Sequence, residues 1–199
     1  MAIDQKKLNT ALLGLIAILV AGLIFVVAQR NEDPMDDMAS HMGHSMSTGT
    51  LTGSDVMFLQ MMIPHHQQAV DISKIAIAKS TNAQLVDLAK RIEAAQAAEI
   101  IQMKKWLKDA GASEDPGHSM DGMGGMLTDS QLAALDKATG STFDRLWLEG
   151  MLGHHDGALH MTTMIEDAQN PEIKAFGENV IKVQSAEIEE MKKILAALK

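Results

Sequence analysis

Adjacent histidines occur twice in this chain in related surroundings. The first copy is Met61-Met62-Ile63-Pro64-His65-His66-Gln67-Gln68-Ala69-Val70, and the second is Gly150-Met151-Leu152-Gly153-His154-His155-Asp156-Gly157-Ala158-Leu159. The offset of 89 residues between His65 and His154 also relates Asp55 to Asp144 and Phe58 to Trp147. At an offset of 88, Gln96-x-x-Glu99-x-x-x-Met103 recurs as Gln184-x-x-Glu187-x-x-x-Met191. Imidazole, carboxylate and thioether groups are metal donors, and their repetition at helical spacing points to a metal site.

Composition narrows the metal. The 199 residues include 16 Met and 8 His but no Cys and no Tyr. Disulfides, thiolate zinc sites and Cys-ligated iron–sulfur clusters are therefore excluded. Thioether and imidazole together favour soft ions, above all Cu(I). A formal charge of −9 with no basic face argues against nucleic acid as a partner.

The apolar spacing implies helices to carry these groups. Apolar periodicity, caps and breakers predict helices over residues 54–79, 82–110, 142–167 and 171–198, with a short helical turn over 129–137. Ser54 or Asp55 is expected to cap the first, and Pro64 to kink or restart it. Asp55 and Asp144 read as helix-start residues. Two related helical hairpins make an all-α four-helix bundle the economical fold, each helix burying one apolar stripe.

Phasing then separates the neighbours. Leu59, Met62, His66, Ala69 and Ser73 share a face, as do Leu148, Met151, His155 and Ala158. Residues next to each other on a helix point about 100° apart, so His65 and His66 are not expected to share one ion. His66 and His155 should point inward with Met62 and Met151 at i−4, while His65 and His154 face the bundle flank. Glu99 and Glu187 fall within apolar stripes, where a lone carboxylate is expensive. A histidine from the first or third long helix is the natural partner, with the glutamate ligating a metal or orienting the imidazole. A single histidine on an apolar face is ordinarily a core residue, and methionine is ordinary core filler; the doubling favours a metal site.

Two Gly/Ser-rich stretches lie outside this pattern. Ser40-His41-Met42-Gly43-His44-Ser45-Met46 precedes the first helix, and Gly117-His118-Ser119-Met120-Asp121-Gly122-Met123 lies between the repeats. Neither has a core to fill, so their His and Met residues read as metal-capture groups. Upstream, residues 8–28 carry no charge and are close to the ~20 residues that cross a hydrocarbon core. Lys6 and Lys7 before them place the N-terminus in the cytoplasm and the remainder outside. The expectation is a single-pass cell-membrane anchor, the alternative a cleaved signal peptide ending near Ala28. The organisation is thus a membrane anchor or signal segment at 1–28, a flexible His/Met-rich tether at 29–53, and a bundle domain at 54–199 with a His/Met-rich linker at 112–128.

The M-I-P-H-H-x-x-A and M-x-x-H-H-x-x-A motifs, with the later Q-x-x-E helices, resemble the bacterial family known as domain of unknown function 305. The resemblance covers about residues 54–198. It implies a ferritin-like helical bundle and exported copper binding of the CopM type, concerned with copper resistance or homeostasis. It carries onto Met61, Met62, His65, His66, Met151, His154 and His155. Gly153 stands where the first copy has Pro64, and Asp156-Gly157 where it has Gln67-Gln68, so the two sites need not be equivalent.

Three functions are distinguishable from here: a non-catalytic Cu(I) binder, with Ag(I) as a second ion; a ferritin-like di-metal oxidase; and a structural helical domain without metal. The first is expected, because the four carboxylates and paired Glu-x-x-His motifs of di-metal bundles are missing. Its partners would be the metal ion, the inner membrane through residues 8–28, and a copper-handling protein. If the two Gly/Ser-rich stretches are capture groups, replacing His41, His44, His118 and their neighbouring Met residues lowers copper stoichiometry while apo-protein thermal stability stays nearly constant. Metal analysis with thermal melts checks this; a large loss of apo stability would show packed structure instead.

Overall fold

The computed structural model describes residues 50–115, 117 and 124–198. Residues 1–28, most of the tether, and His41, Met42, His44, Met46, His118, Met120 and Met123 lie outside the described residues. Within them the chain is helical, without strands: α1 (Gly53–Lys79), α2 (Ala83–Asp109), α3 (Asp129–Lys137), α4 (Gly140–Met161), a 3₁₀ turn (Thr162–Ile165) and α5 (Pro171–Ala197). The third predicted long helix is therefore shorter than expected, tightening into 3₁₀ after Met161.

Local chemistry explains the ends. Thr52, rather than Ser54 or Asp55, caps α1: its hydroxyl accepts from the Asp55 N–H, and the Asp55 carboxylate accepts from the Thr52 N–H, a reciprocal capping box. Asn82 and Asn170 cap α2 and α5 in the same way, each accepting from the N–H groups two and three residues on. Pro171 follows in the first turn of α5, where a missing N–H costs nothing. The expected restart at Pro64 does not occur; α1 runs through it. Asp144 differs from Asp55 despite the repeat. It lies past the first turn of α4, and its carboxylate accepts from the Ser80 hydroxyl at 2.6 Å, tying the α1–α2 turn to α4.

The four long helices pack as a bundle, α1 against α2 and α4, and α5 against α4 and α2. Two apolar clusters fill it. One gathers Ile72, Leu85, Leu88, Ile92, Phe143, Trp147, Met151 and Met191. The other gathers Phe58, Leu59, Met62, Ile100, Met103, Leu107, Ile173 and Val180. Along every long helix the two sets fall in opposite halves, and His65, His66, Gln96, Glu99, His154, His155, Gln184 and Glu187 come between them. The bundle thus carries a polar layer across its middle.

The expected single-pass membrane placement is corrected here. Among the described residues no helix is long and apolar enough to cross a membrane. Each long helix turns a charged face outward, as at Asp71 and Lys74, Lys90 and Lys104, and Lys182 and Glu189, and hydrocarbon would not accept those charges.

Trp147 tests the packing. It is 0% exposed, and its indole N–H donates to the Ile72 carbonyl at 3.1 Å, joining α4 to α1. Trp147→Phe removes that bond and leaves a void, at an expected cost of about 1–3 kcal/mol. Urea unfolding of the apo-protein reads it; an unchanged midpoint would contradict this packing.

Candidate metal centre

The polar layer is built from two copies of one pair. His66 on α1 donates from Nε2–H to the Glu99 carboxylate on α2 at 2.8 Å. His155 on α4 does the same to Glu187 on α5, also at 2.8 Å. An ionised carboxylate only accepts, so each imidazole holds its proton on Nε2 and turns a lone pair outward on Nδ1. Those Nδ1 atoms are buried without a hydrogen-bond partner in both copies. The pairs differ in exposure: the Glu99 side chain is 18% exposed and that of Glu187 9%.

His65 and His154 occupy a different place from the one predicted. Both are 0% exposed rather than on the flank. They lie against one another where α1 meets α4, ring centroids 3.7 Å apart, and the His154 Nε2–H donates to the His65 carbonyl at 2.9 Å. His154 Nδ1 and both ring nitrogens of His65 have no hydrogen-bond partner. The rings of His65 and His66 are 6.4 Å apart and those of His154 and His155 6.3 Å, so adjacent histidines do point apart as their spacing demands.

The remaining predicted donors divide. Met62 and Met151 are fully buried, but in different apolar clusters. Met61 is only partly buried beside the second of those clusters. Gln96 and Gln184, three residues before the glutamates in each repeat, are buried at 2% exposure and belong to the same layer, which sequence spacing alone does not show. Gln96 has neither amide atom partnered, and Gln184 lacks a partner for its oxygen. Most of the buried unpartnered polar atoms among the described residues therefore fall in this one layer, where unmet hydrogen bonds are costly.

Among the described residues no group of three or more His, Asp or Glu side chains could hold a metal ion. A carboxylate-bridged di-metal centre would need such a group.

The chain matches the family model "Domain of unknown function (DUF305)" over residues 55–195 and belongs to that family, as its motifs imply. A DUF305 fragment from Deinococcus radiodurans is similar in structure, with 29% identity and a TM-score of 0.70 over 75% of this chain and 100% of that one. A DUF305 protein from Streptomyces coelicolor, described as secreted, shares 29% identity at a TM-score of 0.68 over 72% of this chain and 91% of that one. CopM in its Cu(I)-bound form shares 34% identity at a TM-score of 0.59 over 70% of this chain and 93% of that one; Cu(II)- and Ag-bound forms of CopM also match. No curated protein matches this chain.

Burial sets the charge state of the central pair. It drives the His65 imidazole down to about 3, with the neighbouring His66 adding to the fall and the Gly124 backbone opposing it. Burial also holds His154 well below the ordinary imidazole value, with His65, His155 and His66 contributing. The unfolded chain takes up these protons more readily, near pH 6.5. The stability tied to neutral His65 and His154 is thus complete above pH 6.5 and drains away as the pH falls towards the folded values, at about 1.4 kcal/mol per unit per histidine. Urea unfolding of the apo-protein at pH 7 and pH 5 should differ by about 2 kcal/mol through His65, with His154 adding in the same direction; equal stability would mean the pair is not buried in the neutral form.

Proposed function

We propose that this chain is an exported copper-binding protein that takes Cu(I), and by the same softness Ag(I), through histidine and methionine. The observation that carries this reading is the repeated His–Glu pair. A carboxylate on one imidazole nitrogen fixes the tautomer, aims the ring and leaves the other nitrogen as a basic donor, the arrangement that orients metal-bound histidine in general. His66 and His155 are the ligands in this reading, with Met62 and Met151 one turn earlier and Glu99 and Glu187 holding the imidazoles. Their Nδ1 atoms, buried and unpartnered, fit a cation that brings no hydrogen-bonding demand of its own.

CopM, bound to copper and silver in solved structures of the same fold, supports the choice of ion. The secreted description of the Streptomyces relative supports export. In this proposal residues 54–199 form the ordered site with a linker at 112–128, Met61, His65 and His154 are accessory donors, and His41, Met42, His44, Met46, His118, Met120 and Met123 capture the ion. Sequestration is the role in this reading, because the donors are buried.

The test uses single substitutions in a chain whose His/Met stretches have been replaced. Glu99→Gln and Glu187→Gln should weaken Cu(I) by about 10- to 100-fold, the usual cost of losing a group that orients a ligand. His66→Ala and His155→Ala should cost more. Competition titration against a Cu(I) chelator reads these differences. Zinc bound as tightly as Cu(I), or a folded His66→Ala/His155→Ala double variant with full Cu(I) affinity, would overturn the proposal.

A further inference from the structure

The His65–His154 pair is covered by a short run of backbone that the repeat pattern does not contain. Residues 124–127 cross α4 on glycine. A Cβ on Gly157 would lie 2.1 Å from the Gly124 carbonyl oxygen, and one on Gly125 would lie 2.5 Å from that of Gly153. One turn earlier, a Cβ on Gly150 would meet the Leu127 side chain at 2.9 Å. At Gly157 and Gly125 contacts this close to backbone exclude any side chain, so there main chain lies directly against main chain, while Gly150 gives room to the Leu127 side chain. Gly125 itself has φ +88°, which glycine adopts without strain. At an offset of 89 residues the first repeat has Met61 in place of Gly150 and Gln68 in place of Gly157. No second strap can lie there.

Gln68 has acquired the opposite task. Its Nε2 donates to the Leu127 carbonyl at 3.0 Å, and its Oε1 accepts from the Leu127 N–H at 2.8 Å, a two-point hold from α1. The Gly124 backbone is near enough to act on the His65 imidazole electrostatically without a formed hydrogen bond. The same four residues thus touch α4 through glycine and α1 through one glutamine, and lie near the buried pair at Gly124.

We propose that residues 124–127 are a strap that gates the passage of a soft monovalent cation to the His65–His154 pair, with Gln68 as its clasp. This rests on the copper-binding reading above and adds its regulation. Both imidazoles are 0% exposed, and His65 has both ring nitrogens unpartnered, so donors are present but sealed. An ion reaches them only when the cover moves. The cover is lightly fastened: two of its four residues are glycines with no side chain to bury, and one side chain makes both clasp bonds. Segments held this way sit at the low end of local stability. Leu127, buried in the apolar cluster, remains the anchor about which the rest swings. Met126 on the strap is partly buried. The binding-competent state is then the open one, and uptake is slowed by its small population.

Two variants of the full chain test this by independent routes. Gln68→Ala removes the clasp, and Gly157→Ala pushes the strap off α4; circular dichroism checks that each remains helical. The first readout needs no metal: modification of His65 and His154 by diethyl pyrocarbonate, located by peptide mass mapping. The second is uptake of Ag(I), counted after rapid removal of free ion, in chains whose His/Met stretches are replaced. Both rates should rise in each folded variant, by about tenfold in Gln68→Ala, as expected for losing two net hydrogen bonds. Unchanged modification would overturn the strap, and faster modification with unchanged Ag(I) uptake would overturn its role as the gate. If no form takes up Ag(I), the copper-binding reading itself falls and the ion passage with it, while the modification rates still show whether the strap opens.

Discussion

The energetic problem at the centre of this bundle is the burial of imidazole and carboxylate between two apolar clusters. Each His–Glu pair spans the two helices of one hairpin, His66 to Glu99 and His155 to Glu187. Removing either member strands the other in a poorly solvated layer, which costs more than the pair gains by forming. The helices are therefore constrained in axial position: a slip of one residue on α1 or α4 would turn the imidazole about 100° away from its glutamate. The asparagine caps, the Trp147 bond to α1 and the Arg91–Glu190 ion pair between α2 and α5 all act on helices whose level is already set by that layer.

Around this shared layer the two repeats have diverged in a mechanically sensible way. The first kept bulk on its outer face, Met61, Pro64 and Gln68, and the second kept glycine at Gly150, Gly153 and Gly157. Such an exchange leaves the inward histidines and methionines alone, because it occurs on the face that meets the returning linker. Asp55 and Asp144 diverged similarly. One closes a capping box at the start of α1, while the other, at the corresponding position of a helix that begins earlier relative to it, reaches across to Ser80.

Helix positions were legible in the sequence because their signals are local. Asn82 and Pro171 lie at the starts that the sequence predicts, and the cap of α1 falls only two residues before the expected Ser54, at Thr52, while the spacing of Gln96, Glu99 and Met103 shows which face is buried. The His–Glu pairs followed from the cost of burying a carboxylate. His65 and His154 were misplaced on the flank because what covers them comes from residues 124–127, distant in sequence from both histidines and without periodicity. A trace of it was visible: glycines at 150, 153 and 157 line one side of a helix whose counterpart has none. The chemistry at the centre is less legible still. Side chains alone distinguish soft from hard donors, while the family and the copper- and silver-bound forms of CopM bear on the ion.

The contact between His65 and His154 locates the symmetry of the chain. These are the same position in the two repeats, and a residue can touch its own counterpart only close to a pseudo-twofold axis. The axis therefore runs between α1 and α4 through the two facing rings. The hairpins meet across that line as equal halves, but the residues that join them can cross it on only one side. The asymmetry of Gly157 and Gln68 is thus the imprint of a one-sided crossing on an otherwise two-sided design.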